Sequence, residues 1–259
     1  MRHDTVRYDR IGRTYAHTRT AEPAIAAEIE AALGEVDTIL NVGAGTGSYE
    51  PTGRALLALD PSMAMLVQRP PTAAPAIRGV VEALPFASDS FDLVTAYLTL
   101  HHWTDPKTGL TEMARVAPRQ LILLCEPLQT VDFWLVDYFP EMRCLDVETT
   151  APRIDDVADV VDIEEVRTVL VPANCRDGFA AAYWNRPEAY LDPVVRDGMS
   201  VVALLSDDVK AKAVERLRSD LSDGTWDRLH GHLRSEIAFD GGLRLLLTRS
   251  RPSVGAPTQ

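Results

Sequence analysis

The chain has 259 residues, 46% hydrophobic and 25% charged, with a formal net charge of −12 and a pI near 4.9. It is long enough to bury a substantial core, and its acidity argues against nucleic acid or an anionic membrane as partner, because phosphate binding needs basic surface. No run of about 18 apolar residues predicts a spanning helix, the start MRHDTVRYDR lacks the apolar centre of a secretion signal, and Cys125, Cys144 and Cys175 form neither a CxxC nor an even set, which points to a reducing cytoplasm and no metal centre.

Tyr8 to Arg19 and then Pro23 to Leu33 read as an N-terminal helical region, with Ile25, Ile29 and Leu33 at helical spacing. Thr38–Val42 reads as the first strand and LLALD, ending at Asp60, as the second. Between them, Thr46–Arg54 is expected to be a first crossover helix of only a turn or two, because Pro51 and Gly53 interrupt it. Ser62 to Gln68 is expected to be a short helix capped by Ser62. RPPTAAPA is a linker into a third strand, AIRGV. Phe91–Tyr97, apolar throughout, reads as a fourth strand buried on both faces. Leu110–Val116 is then a helix and Leu121–Cys125 a fifth strand, ending at Glu126-Pro127.

Beyond Pro127 the pattern changes. Val131–Phe139 and Arg153–Val160 look helical, and Val166–Val171 is expected to be strand six. Arg176 to Leu233 reads as a mostly helical insertion rich in Trp, Tyr and charge. Ile237–Thr248 is the antiparallel last strand, with Gly241-Gly242 as a turn or bulge signal, and the tail SVGAPTQ is expected to be disordered. The divisions are therefore 1–127 (N-terminal helices and cofactor-binding half), 128–175 (rest of the sheet with cap helices), 176–235 (helical lid insertion), 236–250 (final strand) and 251–259 (tail).

The stretch TILNVGAGTG carries the chemistry. An apolar strand ends in Gly43, Gly45 and Gly47, and the next strand ends in Asp60. Glycines let a ligand lie against bare backbone, and a carboxylate accepts two hydrogen bonds from a ribose diol. The dinucleotide fingerprint Gly-x-Gly-x-x-Gly needs a glycine where this chain has Ser48, so an oxidoreductase reading is disfavoured.

With its Gly-x-Gly-x-Gly turn, GVVEALPFASDSFD and LTLHHWTDP in that order, the chain resembles the class I S-adenosylmethionine-dependent methyltransferases, and among them the ubiquinone/menaquinone-type small-molecule enzymes. The resemblance spans Tyr8 to Pro127 well and the remainder in outline. It implies an α/β fold: a Rossmann-like, seven-stranded, mostly parallel sheet with helices on both faces, an antiparallel last strand and a helical lid insertion. It implies S-adenosylmethionine as cofactor, S-adenosylhomocysteine as product and a small-molecule acceptor. It sets neither the methylated atom nor the oligomeric state.

Carried onto this sequence, the resemblance assigns cofactor contacts to Gly43, Gly45, Gly47, Asp60, Pro61 and Leu98. Tyr15 is the aromatic that would lie over the cofactor, or else packs against the domain. Asn41 stands where many relatives carry an acid, and Val80 where many carry an aspartate for the adenine amino group. Adenine would then rely on backbone near Glu82 and Ala83 and on apolar contact with Met63 and Leu84, Glu82 itself being more structural than ligating. His101 and His102, just beyond strand four, are candidates for a base or an orienting group, because imidazole titrates near neutrality. Glu126 would bind a cationic acceptor, act as base, or merely cap the strand. Asp177 to Pro193, with Tyr183 and Arg186, reads as lid and acceptor wall, or as the packing core of the insertion. Two other activities remain open on sequence: a cofactor-binding fold performing non-methyl chemistry such as cyclisation, and a non-catalytic binding module.

Overall fold

The computed structural model describes residues 20–251. Seven strands form one sheet in the order β3-β2-β1-β4-β5-β7-β6. They are β1 (Thr38–Val42), β2 (Ala55–Asp60), β3 (Ala76–Arg78), β4 (Leu93–Tyr97), β5 (Arg119–Cys125), β6 (Asp162–Pro172) and β7 (Ala238–Arg249). The first five pair in parallel, and β7 runs antiparallel between β5 and β6. This is the expected Rossmann-like architecture.

The sheet is apolar on both faces because both are covered. Alternate residues point to opposite sides. Ile39, Leu93, Leu121 and Leu123 join Ile25, Ile29 and Leu33 of helix Pro23–Leu33 on one side. Leu40, Val94, Ile122 and Leu124 meet Leu110, Met113 and Val116 on the other. Helix Pro106–Val116 begins four residues before the expected start, because Asp105 caps it through Thr108 N–H and Pro106 occupies its first turn. Helix Met63–Leu66 starts as expected, with Ser62 Oγ accepting from Met65 N–H.

The first crossover differs from expectation. Residues 46–54 contain no helix at all, only turns and bends. Tyr49 and Gly53 both have positive φ, 64° and 75°, which a helix cannot accommodate, and Pro51 blocks its propagation. The helical reading of Val131–Phe139 contracts to Leu135–Tyr138, continued by a tighter 3-10 turn over Pro140–Cys144, and that of Arg153–Val160 contracts to Ile154–Ala158.

Between β6 and β7 the chain passes through four short α-helical and 3-10 segments before helix Asp207–Ser222, then helix Thr225–His230. Trp134 organises this packing. Its ring lies 5.2 Å from Trp226 and 5.4 Å from Tyr190, both edge to face, and its Nε1 donates to the Trp184 carbonyl at 2.7 Å. Tyr183 and Arg186 serve the same packing: the Arg186 guanidinium lies over the Tyr183 ring and donates to the carbonyls of Cys175 and Ala182. Gly241-Gly242 lies inside β7, where Gly242 has φ +85° and a Cβ would meet Val131 Cγ2 at 2.6 Å. No helix among the described residues is long and apolar enough to cross a membrane. Tyr15 and the tail after Arg251 lie outside the described residues.

Gly43 has φ +64°, and a Cβ there would meet Thr99 Oγ1 at 2.0 Å. Gly43→Ala combines left-handed strain with overpacking, each costing about 1–3 kcal/mol. Denaturant unfolding should show a loss of at least about 2 kcal/mol; an unchanged midpoint would contradict this close approach.

Candidate functional site

Two cavities open at the carboxyl ends of the parallel strands, where chains of opposite crossover diverge from β1 and β4. The first has a volume of about 160 Å³. Its floor is the turn after β1 (Asn41, Gly43 to Thr46, Ser48, Tyr49), its sides the tip of β2 (Leu59 to Ser62), Met65 and Val80 to Glu82, and its far end Tyr97 to Thr99 and His102 to Thr104.

Asp60 is the centre of this cavity. It is 7% exposed. One carboxylate oxygen accepts from Gly45 N–H and the other from Ser62 N–H, both at 2.8 Å. Burial raises its pKa above the ordinary carboxylate range, against the two N–H bonds and the charge of Arg69. Each oxygen retains a lone pair, so the group can receive a diol without releasing the turn.

Where a helix was expected, a buried polar network shapes the turn. The Glu50 and Arg69 side chains, 7% and 6% exposed, form an ion pair of 2.6 Å. Glu50 Oε1 accepts from Asn41 Nδ2 at 3.0 Å, and Asn41 Oδ1 accepts from Thr95 Oγ1 at 3.2 Å. Arg69 donates onward to the carbonyls of Gly45 and Ala74. Asn41 thus meets the acid through a neighbour rather than being one. On the other side of the turn, Tyr49 donates its hydroxyl hydrogen to Asp177 at 2.7 Å, and Glu22 N–H donates to the same hydroxyl oxygen at 3.3 Å.

Of the sequence candidates, Asn41, Gly43, Gly45, Asp60, Pro61, Glu82, Leu98 and His102 line this first cavity. Gly47, Met63, Ala83 and Leu84 do not. A Cβ on Gly47 would face Arg69 and Glu50, Met63 is 53% exposed, and Leu84 is buried in the core on that side of the sheet. The short helix turns Met65 inward in place of Met63, a two-residue choice that its length leaves invisible to periodicity. Glu82 spends its carboxylate on Thr104 and Asp105 N–H groups, which fixes the loop after β4.

The second cavity, about 110 Å³, takes in His101, His102, Glu126, Glu148 and Cys125 within walls that are mostly apolar. The insertion supplies Phe179, Ala180, Ala181, Ser200 and Val201 to those walls. Leu98 and His102 line both cavities. Leu98 has φ +53°, uncommon for a branched residue, and its N–H is tied to the Leu123 carbonyl at 2.7 Å. The His101 and His102 rings lie 3.7 Å apart, tilted by 55°. Glu126 pairs with Arg244 at 3.0 Å. Glu148, missed on sequence, comes from a four-residue helix, Asp146–Thr149, with no readable pattern; burial raises its pKa.

Comparison with known proteins agrees with this layout. Residues 40–124 match a family model described as a methyltransferase domain. A demethylmenaquinone methyltransferase of Mycolicibacterium paratuberculosis is 30% identical over 159 residues, 59% of this chain and 69% of that protein. The corresponding protein of Renibacterium salmoninarum is 42% identical over 86 residues, which is 30% of this chain and 35% of its own length. Among solved structures, a putative methyltransferase from an antibiotic biosynthesis pathway of Anabaena variabilis superposes with a TM-score of 0.78 at 30% identity, covering 89% of this chain and 98% of that one. Geranyl diphosphate C-methyltransferase of Streptomyces coelicolor, crystallised with Mg²⁺, geranyl diphosphate and S-adenosylhomocysteine, shares the fold at 13% identity, a TM-score of 0.50, and 88% and 77% coverage.

Removing the charge of Glu50 leaves Arg69 buried without its ion-pair partner, at a cost of about 3–5 kcal/mol. Urea denaturation of Glu50→Gln should register that loss. A combined Glu50→Leu, Arg69→Met variant should lose much less. Equal losses in the two would contradict the role of the pair.

Proposed function

Because the chain belongs to the class I S-adenosylmethionine-dependent methyltransferases, in their ubiquinone/menaquinone-type small-molecule subgroup, we propose that the first cavity holds the cofactor and the second a small-molecule acceptor. The meeting of the two cavities at Leu98 and His102 carries this reading. A methyl group presented at that junction faces an acceptor without crossing bulk water.

The residues of the first cavity suit the cofactor in three parts. Asp60 receives the ribose hydroxyls. Leu59, Met65, Val80 and Val81 make an apolar slot for adenine beside Asp60. The bare backbone of Gly43 and Gly45, with Tyr49 and Thr99, receives the amino-acid end. When bound, the cofactor supplies a methyl on a sulfonium, a leaving group already activated by its charge. The chain then has to orient the acceptor, exclude water and take up any proton that the nucleophile releases. His102 stands at the junction and His101 inside the acceptor cavity, so both lie where such a proton is released. Residues 176–235 act as the lid: Phe179 to Ala181 and Ser200-Val201 close the acceptor cavity over the sheet edge.

Calorimetric titration tests the reading directly. S-adenosylmethionine and S-adenosylhomocysteine should bind with micromolar affinity and NADH should not; tight binding of NADH alone would overturn it. Asp60→Ala should weaken S-adenosylhomocysteine binding at least about tenfold, since loss of a charged acceptor costs about 1.5–3 kcal/mol. In the wild type, affinity should fall as pH drops through the raised pKa of Asp60, because protonation removes an acceptor site. His101→Ala should leave that affinity unchanged while slowing methyl transfer about 100-fold or more, measured on whichever of a panel of naphthoquinols, phenols and apolar amines is turned over. Undiminished turnover would remove His101 from the mechanism.

A further inference from the structure

Two carboxylates, Glu126 and Glu148, line the acceptor cavity, and among the described residues one arginine, Arg244, stands beside them without lining it. Arg244 lies 3.0 Å from Glu126 but is shared with Asp240 at 2.7 Å. Glu148 has no cationic partner among the described residues. Its Oε2 accepts from Leu128 N–H at 2.8 Å, which leaves Oε1 free for a ligand. The other titratable groups lining this space are His101, His102 and Cys125. The Cys125 thiol reports the local field: burial first, then Glu148 and Glu126, against Arg244, push its pKa up to about 12. Around these groups the wall is hydrocarbon, from Leu128, Phe133, Val147, Phe179, Val201 and Leu243.

We propose that the acceptor is an organic amine with an apolar ring or chain, and that Glu148 selects it by pairing with its ammonium end. The inference rests on the reading of the second cavity as the acceptor site. A half-buried carboxylate without a counter-charge is costly, and an incoming ammonium completes the pair. An anionic acceptor such as a phenolate meets uncompensated negative charge instead, and a neutral alcohol leaves Glu148 unpaired. The apolar walls take up the remainder of the molecule. Glu148 holds the amine while the histidines prepare it: the N–H bond breaks, the proton passes to the His101 imidazole, and the electron pair stays on nitrogen, where it can attack a methyl carbon. The proton then leaves His101 for solvent.

This pocket chemistry departs from the quinone substrates named for the relatives, and the sequence accommodates the departure. The family match ends at residue 124, whereas Cys125, Glu126, Glu148 and every insertion residue of the cavity come later in the chain.

The test is calorimetry on the full chain saturated with S-adenosylhomocysteine, using phenethylamine and its isostere phenethyl alcohol as probes. The amine should bind at least about tenfold tighter than the alcohol, the factor expected for one charged pair in a partly desolvated site. Glu148→Gln keeps the acceptor for Leu128 N–H, so it should erase the preference and leave S-adenosylhomocysteine affinity unchanged. Phe179→Trp, which fills the cavity from the insertion, should abolish amine binding with the same cofactor affinity, and it replaces Glu148→Gln if that variant does not fold. Equal binding of the two probes, binding of neither, or a preference that survives both substitutions would overturn the proposal while the cofactor reading stands. Failure of S-adenosylhomocysteine to bind the wild type would overturn the methyltransferase reading and this inference with it.

Discussion

The ion pair between Glu50 and Arg69 is the constraint on which the rest of the site depends. In sheets of this type the first strand ordinarily runs through a glycine turn into a helix, and helical hydrogen bonds fix the turn. Here the helix is missing, and a buried chain of polar groups holds the same backbone in place: Thr95 to Asn41 to Glu50 to Arg69 to the Gly45 carbonyl. The Gly45 N–H on the opposite side of that residue goes to Asp60. A turn held by side chains from β1, β4 and the linker to β3 responds to changes in any of them, whereas one held by its own helix does not. The electrostatics also change. A helix N-terminus brings partial positive charge to a ligand, and this site lacks it on the side where a sulfonium would lie.

The two halves of the site have different origins in the chain. The first cavity is lined by residues from Asn41 to Thr104, within the region that matches the methyltransferase family. The second cavity takes only Leu98, His101 and His102 from that region. Its walls come from the segments after β5 and from the insertion between β6 and β7. Under the proposed assignment, a methyl-donor site inside the family match stands beside an acceptor site mostly outside it, the arrangement expected when one fold serves many substrates. Leu98 and His102, shared by both cavities, are where the two halves meet.

Much of this was legible in the sequence, for physical reasons. Continuous apolar runs marked β1, β2, β4 and β5, because strands covered on both faces leave no polar alternation to confuse them. The glycine turn and Asp60 were legible because backbone approach and a carboxylate at a strand tip have few other uses together. The absent crossover helix was half visible in Pro51 and Gly53, but nothing in the sequence showed that Tyr49 would take a left-handed conformation to bond with Asp177. Met65 replaced Met63 because a four-residue helix has no periodicity to read. Glu148 was invisible for the same reason, and because its role comes from residues that fold against it, not from its neighbours in sequence. For Tyr183 and Arg186 the sequence left acceptor wall and packing core both open; the Arg186 guanidinium lies over the Tyr183 ring and donates to the carbonyls of Cys175 and Ala182.

The Tyr49 hydroxyl joins parts of the chain that are far apart in sequence. It bonds Asp177 at the entrance to the insertion, and it accepts from Glu22, whose own carboxylate takes the Arg176 N–H at 2.8 Å. Tyr49 is also part of the floor of the first cavity. That floor and the start of the insertion therefore share a hydrogen-bonded contact. Under the proposed assignment, a ligand that stiffens the glycine turn would also stiffen the start of the insertion, and by thermodynamic reciprocity an acceptor held by the insertion would tighten the grip on the first ligand by the same factor. On that assignment of the two cavities, the Tyr49 hydroxyl is the point where the binding of one ligand would be felt by the other.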